Sequence, residues 1–220
     1  MNRTLSFSDI RPLIVVPALI SLGITVLRLV GELSRWSPTF FSREAGGAGA
    51  LVGIVWLVPV FGIYFALKLG RRGHGPVSRS RAIGYAVAGV ALFVVIGVAA
   101  SRFQLPLLKQ LLLFNGAAAL SALVAYRGWP ELAKMNLVYG LAARIPVAIV
   151  MFIAMSQNWG THYELGPPGL PEMSLLAKWT MIGLLPQLVF WIGFTVVVGS
   201  LFGSLSLLAV RQQKPAVATR

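Results

Sequence analysis

Long apolar stretches separated by short polar segments run along almost the whole chain. A helix needs about 20 residues to cross a hydrocarbon core of roughly 30 Å, and each stretch is close to that length. None of them alternates polar with apolar residues, as a membrane β-strand does. The pattern therefore predicts an all-α fold, a polytopic transmembrane helical bundle of six spans. The predicted spans cover about residues 12–30, 49–69, 82–101, 105–126, 137–155 and 178–201.

The composition leaves little chain outside these spans, with 57% hydrophobic and 11% charged residues. We therefore expect one integral membrane domain over residues 1–220, with a disordered tail at 211–220. The last apolar run, 175–210, is too long for one crossing, because a helix of that length extends roughly 54 Å at 1.5 Å per residue. Either this helix projects beyond the bilayer, which is the simpler account, or it breaks near Pro186.

Lysine and arginine are concentrated in alternate loops, which indicates the orientation in the membrane. The segment 68–81 is the most basic of these loops and has no acidic residue. Its side of the bundle also carries both termini, so we predict that both termini are cytoplasmic. The predicted location is the plasma membrane, which is the inner membrane in a Gram-negative cell.

The net charge of +13 is explained by the basic loops that set the orientation in the membrane, and it does not indicate nucleic acid binding. The simpler hypothesis is that the basic loops only set the orientation of the protein in the membrane. The alternative is that they also bind anionic lipid headgroups, at about 1 kcal/mol per charge near the surface.

The inventory of reactive side chains argues against an enzyme. The chain has no cysteine, and Asp9 is its only aspartate. The two histidines, His74 and His162, belong to loops on opposite sides of the predicted membrane, so they cannot share a metal ion and are expected to be solvated. The alternative is that His162 and Glu164 bind a surface metal weakly. No P-loop, dinucleotide fingerprint or G-x-S-x-G motif occurs. We therefore predict no catalytic residues, no metal site and no cofactor.

A few polar residues inside the spans are candidates for ligand binding. A charge at such depth costs at least about 2.5 kcal/mol by insertion scales, so it needs a partner or water. Two of these polar residues, Lys109 and Arg144, are cations, and no acidic residue within the spans is available to pair with them. The sequence therefore suggests a pocket that prefers an anionic group, with Tyr139 and Trp191 nearby. The predicted ligand-binding residues are Arg144, Lys109, Asn115 and Gln187.

Arg144 also has two purely structural interpretations. Pro146 cannot donate to the carbonyl of Ala142, so Arg144 is a candidate partner for that carbonyl. The other interpretation is that its long side chain reaches the membrane interface.

Two functions from different classes remain open at this point. The first is a non-enzymatic membrane protein that binds or passes a small anionic or amphipathic ligand, in transport for example. The second is an accessory or scaffold subunit that binds protein partners in the membrane through its small-residue faces and its outer aromatic segment. For the face that contains Gly49 and Gly53, packing within the bundle is the simpler interpretation and a dimer interface is the alternative.

Overall fold

A computed structural model describes residues 6–47, 49–103 and 105–209 of the chain. The protein is 78% helical, and the described residues contain no strand. Of the seven helices in the described part of the chain, six are long and apolar enough to cross a membrane, when the turn Ile54–Trp56 is counted with α3. The prediction of a helical multi-pass membrane protein is therefore confirmed. The helices are α1 (Phe7–Leu33), α2 (Pro38–Phe41), α3 (Leu57–Arg71), α4 (Arg79–Arg102), α5 (Leu107–Gly128), α6 (Pro130–Gln157) and α7 (Leu175–Ser206).

Hydrogen bonds between distant parts of the chain define one end of the bundle. Arg72 Nη1 donates to the carbonyl of Asp9, at 3.0 Å. Arg79 Nη1 donates to the carbonyl of Leu207, at 2.8 Å. The start of α1, the α3–α4 turn and the end of α7 therefore lie together, and we call this the basic end.

The other end of the bundle, which we call the opposite end, consists of the described parts of three connections, residues 34–47 and 49–56, residues 103 and 105–106, and residues 158–174. Because the chain crosses six times, both ends of the described chain lie at the basic end. That this end faces the cytoplasm stays a prediction. The predicted disordered tail, 211–220, lies outside the described residues.

The helix α7 is central and packs against α3, α4, α5 and α6. Its glycines allow this, because lipid provides no hydrophobic force between helices and close backbone approach matters more. A Cβ atom on Gly62 of α3 would lie 2.5 Å from the carbonyl oxygen of Gly199, and one on Gly193 would lie 2.6 Å from that of Ala118. These small residues are therefore contacts inside the bundle.

The second span begins later than predicted, at Ile54. Gly46, Gly47 and Gly49 all adopt positive φ angles, between 71° and 78°. This left-handed backbone interrupts a helix, so the predicted packing pair Gly49 and Gly53 lies in an irregular segment instead.

The helix α7 neither breaks at Pro186 nor continues as a regular α-helix. It is π-helical over Trp179–Leu184 and Pro186–Phe190. The N–H of Leu185 donates to the carbonyl of Thr180, five residues back, and Trp191 does the same to Pro186. Because proline lacks the N–H of a regular turn, it favours such a widened helix.

Apolar side chains cover the outside of the bundle, as contact with a lipid bilayer requires. On α1, Val16 and Leu19 are about three-fifths exposed, at 59% and 61%, and on α4 Val95 is 64% exposed. These surfaces face the hydrocarbon of the membrane.

Candidate functional site

A cavity of about 580 Å³ lies in the half of the bundle near the opposite end. It is bounded by α1, α5, α6 and α7, by residues 45–47 and 50–56 of the first connection, and by the connection 158–174. Its volume falls within the range of roughly 300–1,000 Å³ typical of small-molecule sites. Most of its wall is apolar, and includes Ile24, Ile54, Phe114, Val147, Met151 and Phe190.

Arg144 of α6 projects into this cavity and is 5% exposed. Its guanidinium carbon lies 4.4 Å from the centroid of the Trp191 ring, a cation–π contact. Its Nη1 donates to Gln187 Oε1 at 3.4 Å, and its buried Nη2 has no hydrogen-bond partner among the described residues. Among the described residues, Arg144 therefore donates to Gln187 and not to the carbonyl of Ala142.

The widened part of α7 positions the partners of Arg144. Gln187 lies in the second π-helical segment, and its Nε2 is 3.5 Å from the sulfur of Met151 on α6. Trp179, in the first segment, donates from Nε1 to the carbonyl of Ala148 at 2.8 Å. Both contacts fix α7 against α6, so that Gln187 faces the guanidinium.

Asn115 of α5 lines the same cavity, but both of its polar atoms are already used. Its Nδ2 donates to the carbonyl of Leu111 at 2.7 Å. Its Oδ1 accepts from the backbone N–H of Phe190 at 3.2 Å. The side chain of Asn115 therefore supports the π-helical backbone of α7, whether or not it also contacts a ligand.

The structure brings together three of the four predicted ligand-binding residues and separates the fourth. Arg144, Gln187 and Asn115 line one cavity, whereas Lys109 is exposed and does not line it. Six positions separate Lys109 from Asn115, which is about 240° around a helix of 3.6 residues per turn. The two side chains therefore point in different directions.

Tyr139 and Trp191, the two aromatic residues expected near the pocket, occupy different positions. Trp191 lines the cavity, while Tyr139 is buried next to it with its hydroxyl 2.8 Å from Ser21 Oγ.

A second polar cluster, which sequence reasoning missed, lies beside the cavity. Glu32 near the end of α1 is 1% exposed and pairs with Arg28, one turn earlier. The Nδ1 atom of His162 lies 2.5 Å from Glu32 Oε1, and the backbone N–H of His162 donates to Oε2 at 2.9 Å. Because a carboxylate only accepts hydrogen bonds, Nδ1 carries the proton of this contact.

The expectation that His162 is a solvated loop residue was therefore wrong, because its ring contacts the buried carboxylate of Glu32. Glu164 instead accepts from the N–H of Gly160, at 2.6 Å. The spacing of Arg28 and Glu32 is the only signal in the sequence, since residues four apart share a helix face. His162, which binds Glu32, is 130 residues further along the chain than Glu32.

The charges in this region do not balance. Arg28 and Glu32 neutralise each other, while Arg144 has no acidic neighbour, because the described lining of the cavity contains neither aspartate nor glutamate. Burial, together with the nearby negative charge of Glu32, raises the pKa of the Tyr163 hydroxyl, so Tyr163 stays neutral in the cavity wall. The cavity therefore has an apolar wall, neutral polar groups and one unmatched cation.

In comparisons with known proteins, no family model, no curated sequence and no solved structure matches this chain.

Proposed function

We propose that this protein is a non-enzymatic, multi-pass membrane protein that binds or passes a small anionic, amphipathic ligand in the cavity. The observation that carries the proposal is the buried Arg144, with its free Nη2 in a largely apolar cavity. A buried cation without a counterion is costly, and an anionic group offsets that cost through charge-assisted hydrogen bonds. The apolar wall suits the remainder of an amphipathic molecule.

Arg144 is already oriented for this task. Trp191 holds one face of the guanidinium and Gln187 occupies Nη1, which leaves Nη2 for the ligand. Such preorganisation lowers the entropic cost of binding, because the side chain is already ordered before the ligand arrives. Gln187 and Asn115 are proposed to contact the ligand or to keep Arg144 and α7 in place. Lys109 has no role in this proposal, because it lies outside the cavity.

The proposal extends to the surroundings of the protein. It places the chain in the plasma membrane, or the inner membrane of a Gram-negative cell, with both termini cytoplasmic. Exposed arginines at the basic end, such as Arg71 and Arg81, then face anionic lipid headgroups.

The test uses a matched pair of fluorescent probes, dansyl-undecanoate and its uncharged methyl ester, added to protein purified in mild detergent. We expect saturable binding of the carboxylate and much weaker binding of the ester. Arg144→Leu should weaken carboxylate binding about tenfold or more, because a hydrogen bond to a charged group contributes about 1.5–3 kcal/mol. Arg144→Lys should be intermediate, since lysine keeps the charge but loses the planar fork.

The matched control is Lys109→Leu, which removes a cation outside the cavity and should leave binding unchanged. Equal affinity for acid and ester, or full carboxylate binding by Arg144→Leu, would contradict the proposal. A stoichiometric protein partner in the purified sample, combined with no carboxylate binding, would favour the accessory-subunit alternative. The burial of Gly62, Gly193 and Gly199 within the bundle does not favour that alternative.

A further inference from the structure

Two irregular segments at the opposite end form part of the cavity wall. The first segment, residues 42–47 and 49–53, contributes Gly46 and Gly53, among others. It is a loop closed at its base, where the N–H of Leu51 donates to the carbonyl of Thr39 at 3.0 Å. The second segment, residues 158–168, contributes Tyr163 and Leu165.

The Arg28–Glu32–His162 cluster fastens both segments to α1. Arg28 donates from Nη1 to the carbonyl of Val52 and from Nη2 to the carbonyl of Ser42, both at 2.6 Å. Glu32 accepts both hydrogen bonds of His162. Within the described ranges, Arg28 makes the hydrogen bonds that join the first segment to α1, and Glu32 makes those that join the second.

The two segments also meet each other at this cluster. A Cβ atom on Gly47 would lie 3.0 Å from the ring of His162 and 3.3 Å from Arg28 Nη2. Gly47 has a φ of 71°, a conformation that favours glycine. The first segment, the second segment and α1 therefore converge on one buried group of charged and polar atoms.

We propose that the Arg28–Glu32–His162 cluster is a lock that holds the two segments closed over the cavity. Glu32 is its centre, because it orients Arg28 and binds His162. Loss of the Glu32 carboxylate therefore releases both segments, and loss of the His162 imidazole releases the second one. Hydrogen bonds to buried charges are strong, so the cluster keeps glycine-rich loops in place that have little regular structure of their own. The lock controls access to the cavity of the proposed function, but it does not depend on which ligand binds there.

The absence of cysteine from the chain permits a direct test. Val147→Cys places one thiol in the cavity wall, and the rate of its modification by anionic methanethiosulfonate ethylsulfonate reports access. We expect His162→Phe and Glu32→Gln to increase this rate about tenfold or more over the Val147→Cys parent. The matched controls, His74→Phe at the basic end and Glu44→Gln on an exposed side chain, should leave the rate unchanged.

A second reporter separates opening of the lock from unfolding. Val197 of α7 is 1% exposed and does not line the cavity, so Val197→Cys should stay unreactive in every background. His162→Phe keeps Arg28 and Glu32 paired, which preserves a folded test if Glu32→Gln does not fold. Unchanged labelling of Val147→Cys in His162→Phe, or faster labelling at both reporters, overturns the proposal. If the carboxylate probe did not bind, the proposed function would fail, but the labelling rates would still test the lock. The two proposals can therefore fail separately.

Discussion

The two halves of this bundle are packed by different means, although α7 runs through both. In the half near the basic end, α7 is a regular helix whose Gly199 and Gly203 lie directly against Gly62 of α3. In the half near the opposite end, α7 is π-helical and borders the cavity with Gln187. One helix therefore closes the bundle where Gly199 and Gly203 meet the backbone of α3, and borders a cavity where its backbone is widened.

The polar groups of the two halves follow the same division. Near the opposite end, Arg28, Glu32 and His162 form a connected cluster, and Asn115 supports the backbone of α7. Near the basic end, Ser121 is fully buried but has no side-chain hydrogen bond among the described residues. In the interior of the bundle, the comparison therefore contrasts a buried charged cluster in one half with close backbone contact in the other.

The largest expected effect comes from the charged cluster. Glu32→Leu should lower the free energy of unfolding by about 3–5 kcal/mol, because Arg28 then remains buried without a counterion. The double variant Arg28→Leu with Glu32→Leu should lose less stability than Glu32→Leu alone, since neither charge of the pair is then left buried without a partner. Denaturant unfolding in detergent, followed by circular dichroism, measures both. A double variant less stable than Glu32→Leu would mean that the pair acts mainly by holding the loops.

A smaller loss is expected from the glycine contacts of the other half. Gly62→Val should lower the free energy of unfolding by about 2–3 kcal/mol, because its Cβ atom meets backbone that cannot rotate away. Gly23→Val is the matched control, since a Cβ on Gly23 has nothing within 4 Å, and it should change stability by less than about 0.5 kcal/mol. Equal losses in the two variants would show that helix propensity, and not close packing, makes Gly62 necessary.

The smallest expected effect concerns two buried polar residues of α5, Asn115 and Ser121. Asn115→Leu should cost about 1 kcal/mol, because the N–H of Phe190 loses its acceptor beside a cavity that water can enter. Ser121→Ala should be nearly neutral, since the hydroxyl has no hydrogen-bond partner to lose among the residues that the structure describes. Unfolding in detergent again gives the values. A larger loss for Ser121→Ala than for Asn115→Leu would reverse the assignment of polar support to the opposite half.

The sequence by itself determined the fold class and the number of spans, because long apolar runs reveal membrane helices without knowledge of their neighbours. It also identified Arg144, Asn115 and Gln187 as unusual, because polar side chains within such runs are costly. The sequence did not distinguish Lys109 from these three, since the rotation of each helix about its axis depends on packing. The late start of the second span was missed for a similar reason, because only the backbone shows the positive φ of Gly49.

Only the tertiary structure decided which polar groups meet. Gln187 is 43 residues from Arg144, and His162 is 130 residues from Glu32, so no local pattern reveals either pair. Pro186 favours the π-helical form of α7 within the sequence itself, but the hydrogen bond that joins this backbone to Asn115 of α5 exists only in the folded bundle. Hydrophobicity is a property of each segment and can be taken from the sequence alone. The cavity, its unmatched cation and the lock beside it arise from contacts between segments, which exist only in the folded bundle.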